Sequence, residues 1–210
     1  MLTTDQFLAP LARLRTNEVV VTTMSVVRPW GRYSDSDLDF ASADSAMGHA
    51  ADLALGLAMA QPARKIICLN GDGSMLMTLG TLATVIASGV DNLILFVLAN
   101  GTYEITGNQP MPAANTIDFA AMARAVGFRR VYTFDDPARY EAALPGLLRE
   151  DGPVFACAYV EPGEEGPISR KATEEARYLK TSLADWSRTL RAALLNGPNH
   201  PDDGTGPHRI

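Results

Sequence analysis

Two polar side chains at the ends of apolar segments indicate a metal site. Asp72 lies in the turn Gly71-Asp-Gly-Ser74, which ends an apolar run that begins at Lys65, and Asn100 ends a second run that begins at Leu93. A carboxylate and an amide carbonyl are hard oxygen donors, which suit Mg²⁺, and Mg²⁺ keeps further positions for water and phosphate oxygens. The pair therefore predicts a magnesium site beside a bound phosphate group.

The glycines beside Asp72 predict an anion site in the same place. Gly71 and Gly73 let the backbone approach a ligand closely. Gly73, Ser74 and Met75 begin the helix that follows, and its free N–H groups and dipole favour negative charge. Taken alone, the tetrapeptide is a weak signal, because it also occurs as a tight turn with an aspartate helix cap.

The elements that carry these residues form a strand–helix–strand unit. Both apolar runs have the composition of strands buried on both faces of a parallel sheet, and residues 75–88 between them show helical spacing of apolar residues. A right-handed crossover would place Asp72 and Asn100 at the carboxyl ends of neighbouring strands, where open α/β sheets bind ligands. We therefore expect the two side chains to converge.

Helix and strand signals alternate along the rest of the chain. They predict a single doubly wound α/β domain with a mainly parallel sheet and helices on both faces. Further strands are predicted at about 18–23, 38–42, 129–134 and 153–160, and further helices at about 3–15, 47–61, 118–127 and 137–149. We predict one domain over residues 1–195, with a core to about 162, a charged, partly helical extension over 168–195 and a disordered tail over 196–210.

Composition narrows the class of protein. The 210 residues carry a net charge of −6, are 47% hydrophobic and contain no sustained Lys/Arg cluster, which argues against a nucleic-acid partner. No apolar stretch is long enough for a membrane span and the first residues lack a basic secretory region, so we expect a cytoplasmic protein. Cys68 and Cys157 lie in apolar runs, which predicts buried free thiols, and the absence of Cys-x-x-Cys disfavours an iron–sulfur oxidoreductase subunit.

The spacing of the two polar residues resembles a family signature. Asn100 follows Asp72 by 28 positions (100 − 72), and this Gly-Asp-Gly to Asn pattern is similar to the diphosphate-binding domain of thiamine diphosphate enzymes. The resemblance implies that Mg²⁺ is held by the side chains of Asp72 and Asn100 and by the carbonyl of Thr102. It also implies thiamine diphosphate as the cofactor.

Two further segments extend the resemblance. Residues 44–58 resemble the family's Ser-Met-Gly segment, which implies that the Ser45 carbonyl meets the aminopyrimidine and that Met47 lies beneath the cofactor and bends it. Residues 100–110 are similar to the loop of sulfopyruvate decarboxylase β subunits and phosphonopyruvate decarboxylases. The cofactor-binding residues implied by the match are Ser45, Met47, Gly71, Asp72, Gly73, Ser74, Asn100, Thr102 and Tyr103. Without the family match, Met47 would be interpreted as an ordinary core residue.

The resemblance implies nonoxidative decarboxylation of a small 2-oxo acid, as in sulfopyruvate decarboxylase. The family activates the cofactor with a Glu on a pyrimidine-binding domain, and this chain resembles only the diphosphate half. Glu104 lies just past the metal loop, on the diphosphate side, so we expect the activating Glu on a separate pyrimidine-domain subunit of a hetero-oligomer. Two alternatives stay open: an acyloin-type carboligase subunit and a noncatalytic cofactor-binding regulatory subunit.

Overall fold

The computed structural model describes residues 1–41 and 47–196. In this part of the chain the strands are β1 (Val19–Thr22), β2 (Asp39–Ala41), β3 (Ile66–Gly71), β4 (Leu93–Ala99), β5 (Thr102–Tyr103), β6 (Gln109–Pro110), β7 (Arg130–Phe134) and β8 (Val154–Tyr159). Six of them form one parallel sheet in the order β2-β1-β3-β4-β8-β7, and β5 pairs with β6 in a short antiparallel ribbon. The mainly parallel sheet that the sequence predicts is confirmed.

Helices cover both faces of the sheet, as predicted. Those of the described ranges are α1 (Thr4–Leu14), α2 (Val27–Tyr33), α3 (Ala50–Ala60), α4 (Asp72–Met77), α5 (Gly80–Ser88), α6 (Phe119–Val126), α7 (Pro137–Arg149) and α8 (Leu183–Asn196). They form two groups: α1 contacts α2 and α7, whereas α5 contacts α3 and α6. None of these helices is both long enough and apolar enough to cross a membrane.

The core lies where the central strands meet the helices. Strands β1, β3, β4 and β8 are buried almost throughout, which is typical of a parallel sheet covered on both faces. Phe7 of α1 packs edge-on against Phe96 of β4, with ring centroids 5.2 Å apart, and stacks on Tyr140 of α7 at 4.8 Å. Cys68 and Cys157 are buried free thiols, as predicted, and burial raises the pKa of both.

The single helix predicted over 75–88 is wrong, because the structure has two helices there. Helix α4 begins at Asp72 and ends at Met77, and α5 begins at Gly80. Between them, the Thr78 hydroxyl donates a hydrogen bond to the Gly48 carbonyl, which ties the break to the preceding segment. The helix predicted from Met47 begins later, at Ala50, because Met47 and Gly48 form a turn.

The helical segment directly after β1 was not predicted from sequence patterns. A 3₁₀ turn over Met24–Val26 leads into α2, which contains Pro29 and Gly31 and therefore looks like a loop. Tertiary packing explains the helix: Trp30 is fully buried, and Gly31 lies so close to Ala176 that an added Cβ would be 2.2 Å from the alanine Cβ.

The C-terminal extension packs against the β2 edge of the sheet. Helix α8 contacts β2, and the indole N–H of Trp186 donates to the Asp39 carbonyl at 2.7 Å. The hydroxyl of buried Tyr178 donates to the Val27 carbonyl at the start of α2. The predicted tail after Asn196 lies outside the described residues, and the division into core, extension and tail stays a prediction.

A connecting segment crosses from β8 to this extension, and Arg28 makes several contacts with it. We call residues 161–170 the strap. Arg28 of α2 donates to the carbonyls of Gly166 and Pro167, and its guanidinium pairs with both carboxylate oxygens of Glu174 at 2.8 and 2.9 Å. The Ser169 N–H and hydroxyl donate to the same carboxylate. Arg28 and Glu174 therefore fasten the strap to α2.

Because of this ion pair, the free energy of unfolding should depend on pH in the acid range. The pKa of Glu174 is lowered to about 2, first by the hydrogen bonds from Arg28 and then by those from Ser169. Because the pKa is lower in the folded chain, the pair stabilises the fold above about pH 5, and this contribution is lost as the pH falls towards about 2. We expect Glu174→Gln to lower the free energy of unfolding at pH 7 by up to about 3 kcal/mol in urea titrations.

The control for this prediction is Glu175→Gln, because the Glu175 side chain is 74% exposed and its ion pair with Arg32 is long, at 3.4 Å. We expect that change to lower the free energy of unfolding by less than about 0.5 kcal/mol. The difference between the wild-type chain and Glu174→Gln should shrink between about pH 5 and pH 3. A loss that stays the same across that range would mean that the ionised carboxylate is not what stabilises the strap.

Candidate active site

The carboxyl ends of four neighbouring strands open into one cavity of about 630 Å³. Strand β1 has β2 on one side and β3 on the other, so the chain order changes direction between β1 and β3. Open α/β sheets bind ligands at such a switch point. The cavity is lined by segments that follow β1, β3, β4 and β8, and by Pro167 and Ile168 of the strap. It is therefore where the topology predicts a ligand site.

The cavity brings together almost all of the residues that the sequence singled out. Eight of the nine predicted cofactor-binding residues line it: Met47, Gly71, Asp72, Gly73, Ser74, Asn100, Thr102 and Tyr103. The ninth, Ser45, lies outside the described residues. The residues share one site, as expected from neighbouring parallel strands, while their individual roles remain predictions.

Asp72 is a buried carboxylate that two backbone groups hold in place. It is 3% exposed and is the first residue of α4. One carboxylate oxygen accepts the Gly73 N–H and the other accepts the Gly101 N–H, each at 2.7 Å. Gly101 adopts a φ of +73°, which glycine tolerates and which turns its N–H towards the neighbouring strand's aspartate. These contacts join the ends of β3 and β4 directly.

Asn100 and Thr102 lie on the other side of this junction. The Asn100 Oδ1 accepts the Thr102 N–H at 2.9 Å, and the Asn100 Nδ2 donates to Glu104 at 3.0 Å. The Thr102 hydroxyl donates to the Asn108 side chain at 2.8 Å. These hydrogen bonds fix the loop that follows β4, with Asn100, Thr102 and Glu104 in the cavity wall.

The charge balance at Asp72 fits a divalent cation. Burial raises the pKa of Asp72, and the N–H groups of Gly101 and Gly73 offset only part of this effect. No Lys or Arg side chain within residues 1–41 and 47–196 forms an ion pair with this carboxylate. A buried carboxylate is normally paired with a cation or bound to a metal. The donor set of Asp72, Asn100 and Thr102 is the oxygen-rich type that suits Mg²⁺.

Ser74 positions the segment that carries Met47. The Ser74 hydroxyl accepts the Gly48 N–H at 3.0 Å, and Thr78 donates to the carbonyl of the same glycine. These two contacts fasten the turn before α3 to α4, so that Met47 lines the cavity. The serine hydroxyl therefore already has a structural partner, a role that the sequence did not predict.

Several lining residues escaped sequence reasoning. They are Met24 and Ser25, which follow β1, and Ile168 of the strap. Glu104, which was considered above as the activating acid, lines the cavity from the loop after β4. A usable signal existed for Met24, because it follows a predicted parallel strand whose carboxyl end faces the same edge as Asp72. The strap offered none, since its position depends on contacts with residues far away in the chain.

Comparison with known proteins identifies the family to which the chain belongs. The family described as thiamine pyrophosphate enzyme, C-terminal TPP binding domain, matches residues 22–156, which include every strand of the large sheet except parts of β1 and β8. The chain belongs to this family. The glycine turn and the asparagine that line the cavity both lie within the matched residues.

Two relatives illustrate how the domain is used. The chain is 44% identical over 137 residues to the sulfopyruvate decarboxylase subunit beta of Methanothermobacter thermautotrophicus, covering 64% of this chain and 70% of that protein. It is 37% identical over 152 residues to the phosphonopyruvate decarboxylase of Streptomyces hygroscopicus, covering 72% of this chain. The match spans 37% of the latter protein's length.

A solved structure confirms the fold. The 2-oxoglutarate:ferredoxin oxidoreductase from Magnetococcus marinus superposes with a TM-score of 0.66, covering 94% of this chain and 76% of that chain. The sequence identity is 13%, so the likeness concerns the fold alone. The predicted doubly wound domain with helices on both faces is the fold of a thiamine diphosphate-binding domain.

The contact between Gly73 and Tyr103 gives a testable prediction for this family member. A Cβ added at Gly73 would lie 2.5 Å from the Tyr103 ring, so the ring must move away. We expect Gly73→Ala to lower the free energy of unfolding by about 1–3 kcal/mol through overpacking. Because both residues line the cavity, we also expect binding of thiamine diphosphate with Mg²⁺ to weaken about tenfold, measured by isothermal titration calorimetry.

Gly56→Ala is the matched control. Gly56 lies inside α3, is exposed, and has no other atom within 4 Å of an added Cβ. We expect this change to stabilise the chain by about 0.5–1 kcal/mol, since alanine favours the helix, and to leave cofactor binding unchanged. Unchanged binding and stability in Gly73→Ala would show that the Tyr103 ring is not confined as described.

Proposed function

We propose that this chain is the diphosphate- and Mg²⁺-binding subunit of a two-chain, thiamine diphosphate-dependent 2-oxo acid decarboxylase. The observation that carries the proposal is the buried Asp72 carboxylate, held by the N–H groups of Gly73 and Gly101 at the edge that also carries Asn100. Membership of the family supports the cofactor. The names of the similar decarboxylases support the reaction.

In this proposal the metal joins the chain to the cofactor's diphosphate. Asp72 and Asn100 would supply side-chain oxygens and Thr102 its carbonyl, and diphosphate oxygens and water would complete the shell. The Gly73 and Tyr103 contact brings α4 and the loop after β4 together beside the metal. These residues anchor and orient the cofactor, and none of them transfers the reacting proton.

Bound thiamine diphosphate would supply the electron sink that accepts the electron pair when CO₂ leaves a 2-oxo acid. The chain's own residues shape the space in which this happens. Apolar side chains of Val26, Leu98, Val160 and Ile168 line the cavity and limit the access of water. Met47 lines the same cavity, in keeping with a role as the support beneath the cofactor.

A separate pyrimidine-domain subunit would complete the site. The name of the similar Methanothermobacter protein, a subunit beta, supports this. The partner would supply the Glu that activates the cofactor, and the assembly would be a hetero-oligomer. Each active site would then lie at an interface between the two kinds of subunit.

The substrate class is a small 2-oxo acid, with sulfopyruvate as the first compound to test. No Lys or Arg is among the described residues that line the cavity. A sulfonate or phosphonate needs a cationic or hydrogen-bonding contact, so under this proposal that contact comes from the partner subunit. Substrate selectivity would therefore be decided mainly outside this chain.

Product analysis tests the proposal and separates it from its alternatives. The full chain would be purified with its copurifying subunit and incubated with sulfopyruvate, phosphonopyruvate or pyruvate, with and without an acceptor aldehyde. Release of CO₂ and aldehyde alone supports the decarboxylase. An acyloin product would identify a carboligase, and cofactor binding without turnover of any of these acids would favour a regulatory subunit.

A further inference from the structure

Glu104 is a buried carboxylate in the cavity wall whose two oxygens have different partners. It is 9% exposed and lies in the 3₁₀ turn Glu104–Thr106 that follows β5. One oxygen accepts the Nδ2–H of Asn100 at 3.0 Å, and the other accepts the backbone N–H of Glu165 at 3.1 Å. The residue therefore contacts a predicted metal ligand on one side and the strap on the other.

The contact with Asn100 fixes the orientation of its amide. An asparagine side chain can present either its oxygen or its nitrogen to a given neighbour, and the surrounding hydrogen bonds decide between them. The Glu104 carboxylate only accepts hydrogen bonds, so it requires the Nδ2 of Asn100. The Oδ1 is then directed to the side of Thr102, whose N–H it accepts at 2.9 Å. The oxygen needed for a metal faces the predicted third ligand.

The second carboxylate oxygen of Glu104 contacts the strap. An added Cβ at Gly163 would lie 2.7 Å from this oxygen, so the strap passes in direct contact with the carboxylate. Asn108 strengthens the contact by donating from its Nδ2 to the Gly163 carbonyl at 2.9 Å. The strap continues to Ile168, which lines the cavity. One side chain thus links the metal edge to the segment that covers the cavity.

We infer that Glu104 is a positioning residue, which orients Asn100 for the metal and holds the strap against the edge of the sheet that carries the metal site. This inference rests on the proposed function, because it concerns the same Mg²⁺ site. Partners of metal ligands tune affinity by fixing the orientation of those ligands. Each carboxylate oxygen of Glu104 already accepts one N–H, which fits a positioning role.

Replacement by glutamine tests the orientation directly. In Glu104→Gln, the new amide can accept the Glu165 N–H with its oxygen, which turns its NH₂ group towards Asn100. The Asn100 amide must then flip and present its nitrogen to the metal. We expect the affinity for Mn²⁺ in the presence of inorganic pyrophosphate to fall about 10- to 100-fold, measured by electron paramagnetic resonance on the full chain.

A second substitution should rescue the first. Adding Asn100→Asp to Glu104→Gln keeps the net charge and reverses the hydrogen bond, because the introduced carboxylate accepts from the glutamine NH₂ and still offers oxygen to the metal. We expect Mn²⁺ affinity to return to within about threefold of the wild-type value. A variant that merely failed to fold would not be rescued in this way.

Limited trypsin digestion measures how firmly the strap is held in the folded chain. The bonds after Arg170 and Lys171 directly follow it, and mass spectrometry identifies cleavage there. We expect these bonds in Glu104→Gln to be cut several times faster than in the wild-type chain. Glu164→Gln is the matched control, since Glu164 is an exposed strap residue and the change removes the same charge. It should leave both metal affinity and cleavage unchanged.

The outcomes separate this inference from the proposed function. A wild-type chain that binds no Mn²⁺ would overturn the magnesium site, and the role of Glu104 with it. If the wild-type chain binds Mn²⁺ and Glu104→Gln binds it with an affinity within twofold of the wild-type value, only the positioning role of Glu104 would be overturned. Loss in the single variant and recovery in the double variant would establish it.

Discussion

An Asp72→Asn chain is expected to bind thiamine diphosphate at least about 100-fold more weakly in the presence of Mg²⁺, which corresponds to about 2.7 kcal/mol. The wild-type carboxylate accepts an N–H on each oxygen at 2.7 Å. An amide has one oxygen, so its NH₂ group must oppose either the Gly73 or the Gly101 N–H. The change also removes the negative charge that a cation requires.

The same variant should keep its fold. In the metal-free chain the buried Asp72 carboxylate has no cationic partner among the described residues, and burying such a charge is unfavourable. A neutral amide removes that cost and loses one hydrogen bond, so the two effects oppose each other. We expect the metal-free free energy of unfolding to change by less than about 1 kcal/mol. Weaker cofactor binding would then result from the change at the metal site and not from misfolding.

Isothermal titration calorimetry with and without Mg²⁺ measures this effect, with Asp91→Asn as the control. Asp91 is exposed and lies just before β4, at the amino end of the strand that carries Asn100 at its other end. The control removes the same charge at the opposite edge of the sheet. If Asp72→Asn bound the cofactor as tightly as the wild-type chain and with the same Mg²⁺ dependence, the metal assignment would be wrong.

The convergence of Asp72 and Asn100 was predictable because it depends on local patterns. Each residue ends an apolar run, and neighbouring parallel strands bring their carboxyl ends to one edge. The register of β3 with β4 pairs Gly71 with Leu98, which places the two loops side by side. The direct link through the Gly101 N–H required the structure, because it depends on one glycine's positive φ.

Contacts between distant segments were beyond sequence reasoning. Glu104 meets Glu165 across 61 positions, and no periodicity relates the two. The break between α4 and α5 was also hidden, since apolar spacing continues through it and the Thr78 contact to Gly48 spans 30 positions. Local patterns therefore predicted where the ligand site lies. Contacts between distant segments determine how Glu104 and the strap are positioned around it.

The chain without a partner is expected to show no measurable decarboxylation, and the pyrimidine-domain subunit should raise the rate by at least about 1,000-fold. In the described ranges, the carboxylates that line the cavity are those of Asp72 and Glu104. The first is held by two N–H groups in the predicted metal site, and the second is occupied by Asn100 and Glu165. Under the proposal the Glu that activates the pyrimidine therefore comes from the partner, and a positioned acid or base typically contributes about 10²- to 10⁴-fold.

Steady-state CO₂ release at fixed chain concentration, with increasing partner, measures this dependence. The rate should saturate when the two kinds of subunit reach their assembly ratio, because under the proposal each subunit supplies one half of every site. Asp72→Asn paired with the same partner provides the control and should stay inactive, since assembly alone does not restore the metal ligand. Turnover by the isolated chain at the rate of the pair would contradict a divided site. It would place the activating carboxylate within this subunit.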